Sequence, residues 1–177
     1  MKSIGVYVHI PFCLSKCLYC DFNSIASDSV PDMRYTACVI KEFNACAGLE
    51  EIDRQRNLAS IYFGGGTPSV FSPEAIGRII SGVQDYFGSS KAAEVTLEVN
   101  PDTVDADKLE GFRRAGVNRL SIGVQSLDDG LLKTLGRRHS AQKALDAFRM
   151  AREAGFENIG IDLMFGLPGQ TLALWKE

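Results

Sequence analysis

What this chain has little of narrows its class. Its 177 residues include only two histidines and one tryptophan. No Ser/His/Asp arrangement and no HExxH motif can be read in it, so hydrolase chemistry has no visible site. No apolar stretch approaches the roughly 20 residues that a membrane-spanning helix needs. There is no run of Lys and Arg: 19 basic side chains stand against 22 acidic ones, for a net charge of −3. Nucleic-acid binding therefore finds no support. Met1-Lys2-Ser3 leads straight into a strand-like segment instead of a secretion signal, so the expected compartment is the cytoplasm. Low-complexity tracts and Pro/Gly/Ser linkers are missing too. The composition, 45% hydrophobic and 23% charged, is that of one globular domain.

Short β-rich runs alternate with longer helical periods. Strands are expected at 4–10, 60–63, 94–99, 119–125 and 158–163. The first helix is expected over 31–47, with Met33, Ala37, Ile40 and Ala47 on its apolar face. A second starts at the cap-and-proline pair Ser72-Pro73. A third spans 105–115 and stops at Gly116, and a fourth begins at Ser140 and stops before Gly155. Each strand is followed by a helix, which implies an α/β fold with a parallel sheet. Within the strands, residues alternate between two faces. Val6, Val8, Val95, Leu97, Val99, Leu120, Ile122, Val124, Ile159, Ile161 and Leu163 are expected to lie under the helices. The opposite face carries Tyr7, His9, Thr96, Glu98, Asn100, Ser121, Gly123, Gln125, Gly160, Asp162 and Met164. A closed barrel fills its interior with Val, Ile and Leu. An open barrel with a wet interior fits this pattern better.

Five cysteines are present, an odd number, and three are packed into Cys13-Leu-Ser-Lys-Cys17-Leu-Tyr-Cys20. That clustering argues against a disulfide framework. Three thiolates within eight residues converge on something compact. A structural zinc site takes four ligands. A four-iron cluster held by three cysteines keeps one iron open for a ligand. Cys38 and Cys46 lack metal-site spacing and are expected to be small core residues of the first helix. Gly64-Gly65-Gly66-Thr67-Pro68 follows the second strand. Alone it reads as a turn; beside the cysteine run it also reads as backbone that a ligand can approach closely. Glu98, Gln125 and Asp162 sit inward near strand ends, and Arg137 follows the fourth strand. Carboxylates suit hydroxyls or an ammonium, and a guanidinium suits a carboxylate. His9 reads equally as a donor behind the site or as a satisfied barrel histidine; His139 reads as a surface residue.

These residues resemble the radical S-adenosylmethionine (SAM) proteins related to oxygen-independent coproporphyrinogen III oxidase. The matching segments are Tyr7-Val-His-Ile-Pro-Phe-Cys13, Cys17-Leu-Tyr-Cys20-Asp-Phe-Asn-Ser24, Phe63-Gly-Gly-Gly-Thr-Pro-Ser69, Glu98-Val-Asn-Pro101, Gly116-Val-Asn-Arg-Leu-Ser-Ile-Gly-Val-Gln125-Ser126, Leu135-Gly-Arg137 and Asp162-Leu-Met-Phe-Gly-Leu-Pro-Gly-Gln-Thr171. The resemblance implies a partial (β/α)6 barrel, with residues 1–177 forming an incomplete radical SAM core of about five βα units. The sixth strand and a C-terminal domain would lie outside it, and the last residues, Leu172 to Glu177, read as a helix just beginning. It implies a [4Fe–4S] cluster on Cys13, Cys17 and Cys20. It further implies SAM contacts from Tyr7, Tyr19, Gly65, Gly66, Thr67, Glu98, Gln125, Arg137 and Asp162.

One position divides the family. The oxidases carry another cysteine two residues after the third, where this chain has Phe22. Phe22 and the short segment before the first strand resemble the heme-chaperone (HemW-like) branch. That branch binds heme or porphyrin and delivers heme to respiratory enzymes. The alternatives are a coproporphyrinogen III oxidase making protoporphyrinogen and a non-catalytic iron–sulfur protein. The resemblance leaves the catalytic residues and the oligomeric state open, a homodimer included.

Overall fold

The computed structural model describes residues 3–47, 57–87 and 92–176. The strands are β1 (Ser3–Ile10), β2 (Phe12–Cys13), β3 (Ile25–Ala26), β4 (Asn57–Gly65), β5 (Glu94–Val99), β6 (Arg119–Gln125) and β7 (Asn158–Leu163). The helices are α1 (Asp32–Ala47), α2 (Pro73–Phe87), α3 (Ala106–Arg114), α4 (Asp129–Thr134), α5 (Ala141–Glu153) and α6 (Leu172–Lys176). One sheet runs β1-β4-β5-β6-β7, every neighbouring pair parallel. β2 and β3 form a small parallel pair of their own, flanking the cysteine run. α1 packs on α2, α2 on α3, and α3 on α5. α1, α2, α3 and α5 therefore form one continuous layer on one face, while Leu131 of α4 and Leu174 of α6 belong to a smaller, separate apolar cluster. This is the wall of an open βα barrel.

The local signals behave as their chemistry requires. The Ser72 hydroxyl accepts from the Ala75 N–H, Asp105 caps Lys108, and Ser140 caps Lys143, each satisfying a donor that the first helical turn leaves over. Gly116 and Gly155, at φ +107° and +85°, stop α3 and α5 in the left-handed conformation that glycine adopts without strain. The sheet's outer face and the helices bury Phe63, Phe71, Phe112, Phe156, Ile61 and Leu97 completely.

Several expectations are corrected. Ala37 is exposed on α1, and the face turned to the core instead carries Met33, Thr36, Val39 and Phe43. Ala47's side chain lies outside the described residues. Cys38 and Cys46 are exposed, not core. On β7 only Ile159 packs against the core; Ile161 and Leu163 remain 47% and 48% exposed, because among the described residues no helix is laid over that end of the edge strand. β4 is longer than 60–63, since β1 pairs with it along its whole length, from Ser3 opposite Asn57 to Ile10 opposite Gly65. Helix α4, capped by Asp128, has no counterpart in the sequence reading. Nor is the inner face wet throughout. At its lower end Arg119 donates to Thr96 Oγ1, which donates to Glu94, and Thr96 is buried.

Leu97 tests the core. Leu97→Ala is expected to cost about 2–5 kcal/mol in urea unfolding, the range for a fully buried leucine in a packed core; a loss under about 1 kcal/mol would contradict this packing.

Candidate functional site

The loops after β1, β4, β5, β6 and β7 all leave the sheet at one end. The cysteine run leaves β1 at Ile10, and its base is fastened to the glycine turn after β4. Gly66 N–H donates to the Ile10 carbonyl and Thr67 N–H to the Phe12 carbonyl, both at 2.8 Å. A Cβ on Gly66 would stand 2.8 Å from the Phe12 oxygen and 2.9 Å from the Pro11 carbonyl carbon, so no side chain fits there. A Cβ on Gly65, at φ +115°, would stand 2.6 Å from the His9 ring. His9 Nε2 lies 2.8 Å from the Asn23 carbonyl, which can only accept. The ring proton is therefore on Nε2, and Nδ1 accepts from the Tyr7 hydroxyl at 3.1 Å. His9 thus ties the far end of the cysteine loop to β1. The middle of the loop is held from another side: Leu18 N–H donates to the Leu135 carbonyl, and Gly136, at φ +72°, leaves the space that Leu18 fills.

These attachments place the cysteines over one cavity of about 390 Å³. Cys13, Cys17 and Cys20 line it, together with Tyr19, Gly66, Thr67, Glu98, Gln125, Arg137 and Asp162. Tyr7 and Gly65 stand just behind its wall. Tyr7 stacks on Tyr62 at 6.1 Å, and Gly65 N–H donates to Glu98 Oε2. Among the described residues, Gln125 is the single non-glycine with positive φ, at 69°. It sits where the β6–β7 register shifts, and strain of this kind concentrates at working sites.

Glu98 accepts from the Tyr62 hydroxyl at 2.8 Å. Burial nevertheless holds its carboxyl above the ordinary value of 4.5, and the neighbouring Asp162 charge adds to that, outweighing the two hydrogen bonds. Asp162 is aimed by Ser121, whose hydroxyl reaches both carboxylate oxygens at 3.2 Å. Arg137 gives Nη2 to the Gly123 carbonyl at 2.6 Å, while its Nε is buried without a partner. Tyr62, Ser121 and Lys16 line the cavity without having been singled out. Alternation along 60–63 puts Tyr62 on the inner face, between the apolar Ile61 and Phe63. His139 corrects a surface expectation. It is 4% exposed, its Nε2 donates to the Val124 carbonyl, and burial beside the Arg137 charge lowers its pKa and keeps it neutral.

Comparison with known proteins agrees with this geometry. Residues 7–177 match the family model described as the radical SAM superfamily, and the chain belongs to that superfamily. It is 41% identical over 174 residues to the heme chaperone HemW of Haemophilus influenzae and 44% identical over 174 residues to that of Bacillus subtilis. These matches cover 97% of this chain and 45% and 44% of the relatives. A mitochondrial radical SAM domain-containing protein 1 from Danio rerio is 42% identical over 173 residues, covering 98% of this chain and 38% of that one. Among solved structures, the coproporphyrinogen III oxidase HemN of Escherichia coli superposes with a TM-score of 0.88 at 30% identity, over 99% of this chain and 40% of that one. The chain thus spans less than half the length of these relatives. The open wall of five strands is a partial radical SAM barrel.

The superfamily implies a [4Fe–4S] cluster and SAM, and the residues present fit them. Among the described residues, no three His, Cys, Asp or Glu side chains close on a single point as one metal ion requires. A cluster with one iron per thiolate needs its cysteines spread around a cavity, which is how these three stand. Arg137 Nε is buried without a partner, its guanidinium lines the cavity, and two carboxylates face the same space. No helix among the described residues is long and apolar enough to cross a membrane.

Glu98 gives a prediction in the cluster-free chain. A raised folded-state pKa contributes stability that is complete below 4.5 and lost as pH rises through the raised value. Glu98→Gln cannot ionise. Wild-type stability should therefore fall relative to the variant as pH rises from about 4.5, read by urea unfolding across pH; parallel pH profiles would contradict the burial assigned to this carboxylate.

Proposed function

We propose that this chain is the cluster- and SAM-holding core of a HemW-like heme chaperone. The observation that carries the reading is the convergence of Cys13, Cys17 and Cys20 with Glu98, Gln125, Arg137 and Asp162 on one cavity at a single end of the sheet. In this reading the three thiolates hold a [4Fe–4S] cluster with one iron left to SAM. Tyr19, Gly66 and Thr67 form the wall against which SAM would lie, with Tyr7 and Gly65 directly behind it. Glu98 and Asp162 would accept from its ammonium and hydroxyl groups, Gln125 lines the same space, and the Arg137 guanidinium would face its carboxylate. When bound, the cluster and SAM would supply one-electron, radical-forming chemistry. The protein orients the pair and screens it from water.

Two observations favour the carrier over the oxidase. Phe22 occupies the position of the oxidases' additional cysteine, lining the cavity mouth at 66% exposure. The relatives named as heme chaperones are also nearer in sequence than the oxidase structure. Heme is then cargo, passed to respiratory enzymes from a cytoplasmic protein. The apolar side chains exposed on β7 support a sheet continued by a sixth strand in the whole protein, followed by a further domain as the greater length of the relatives suggests.

The test uses anaerobically reconstituted full-length protein. It should carry about four irons per chain, and Cys13→Ser, Cys17→Ser and Cys20→Ser should each abolish them. Given SAM, reductant and coproporphyrinogen, it should form no protoporphyrinogen, and given heme it should bind it stably. Unchanged iron in any serine variant would defeat the ligand assignment; turnover of coproporphyrinogen would defeat the carrier reading in favour of the oxidase.

A further inference from the structure

Two of the three cysteine sulfurs already have hydrogen-bond donors, one from the turn after β4 and one from the turn after α4. Thr67 Oγ1 donates to Cys13 Sγ at 3.3 Å. Both partners are buried, Thr67 at 9% exposure and Cys13 at 8%. Arg137 Nη1 reaches Cys17 Sγ at 3.6 Å, while its Nη2 is anchored on the Gly123 carbonyl. Neither donor is free to turn away. Thr67 is fixed by its own N–H on the Phe12 carbonyl and by the short 3₁₀ turn Pro68–Val70 that follows it. Arg137 is fixed at Gly123, and its N–H bonds back to the Leu132 carbonyl.

We infer that Thr67 and Arg137 are positioning residues that set the reduction potential of the cluster through its cysteine sulfurs, in addition to any contact with SAM. The inference rests on the reading that Cys13, Cys17 and Cys20 carry the cluster. A one-electron reduction adds negative charge that is shared onto the thiolate sulfurs. A donor aimed at a sulfur stabilises the reduced form more than the oxidised one and raises the potential. In a buried setting such a bond is stronger than in water, since no solvent competes for the sulfur. The hydroxyl supplies a dipole to Cys13. The guanidinium supplies a full positive charge to Cys17, and this one is permanent because arginine does not deprotonate.

Thr67→Val keeps the shape and removes the hydroxyl; Thr67→Ser restores it. The measurement is a mediated redox titration of the reconstituted chain without SAM, with dithionite as reductant and the reduced cluster followed by electron paramagnetic resonance (EPR). The Val variant should titrate at a more negative potential, with its reduced-to-oxidised ratio at the wild-type midpoint lowered roughly two- to tenfold, as the loss of one ordinary hydrogen bond predicts. The Ser variant should return toward wild type. Arg137→Gln should shift the midpoint in the same direction by acting on the second sulfur. Should Thr67→Val load no cluster, Arg137→Gln decides: a midpoint equal to wild type there overturns the inference. Midpoints indistinguishable from wild type in Thr67→Val and Arg137→Gln would overturn the inference and leave the cluster assignment standing. A wild-type chain that loads no cluster would defeat both.

Discussion

The site depends on one close approach between two pieces of backbone. The turn after β4 must lie flat against the start of the cysteine loop so that Gly66 and Thr67 can bond to Ile10 and Phe12. At Gly66 that approach leaves no space for a Cβ. It registers the cysteine loop against the sheet, brings Thr67 to Cys13, and puts Gly65 N–H beside Glu98. A turn set back by the width of a methyl group would lose all three relations together. Glycine is required here for the chain's own packing before any ligand enters the argument.

Around that contact the protein builds a loop held at several points but not buried in itself. Cys13 is buried against the sheet, while Cys17 and Cys20 are only partly covered. His9 holds Asn23 at one end of the loop, and Leu135 with Gly136 holds Leu18 in the middle. The carboxylate side is prepared in the same way. Tyr62 and Ser121 aim Glu98 and Asp162 and accept nothing in return. Groups preset in this manner lose little freedom when a ligand arrives, which is where binding sites gain affinity. The burial that raises Glu98 and the partnerless Arg137 Nε are costs that the fold carries at this site.

Much of this was legible in the sequence, for definite reasons. Strand alternation put Glu98, Gln125 and Asp162 on the inner face because the side-chain period of a strand is two, and each of them lines the cavity. Cap residues and stop glycines marked α3 and α5 because the donors they satisfy belong to the nearest turn. What failed depended on distant neighbours. His139 looks like a surface residue before a cap, yet the end of β6 covers it and the Val124 carbonyl accepts its N–H. Cys38 and Cys46 look like core cysteines, but the buried stripe of α1 runs through Thr36, Val39 and Phe43. The strain at Gln125 and the double role of Gly66 are properties of chain crossings, which no local pattern encodes.

The central claim is that cysteine loop, glycine turn and strand-end carboxylates form one site shared by a cluster and SAM. It is tested most directly by the EPR spectrum of the reduced, reconstituted protein before and after SAM is added. If one iron is open and SAM lies in this cavity, the spectrum changes with SAM, and saturably. A spectrum indifferent to SAM, in a chain that carries its full iron complement, would contradict the account.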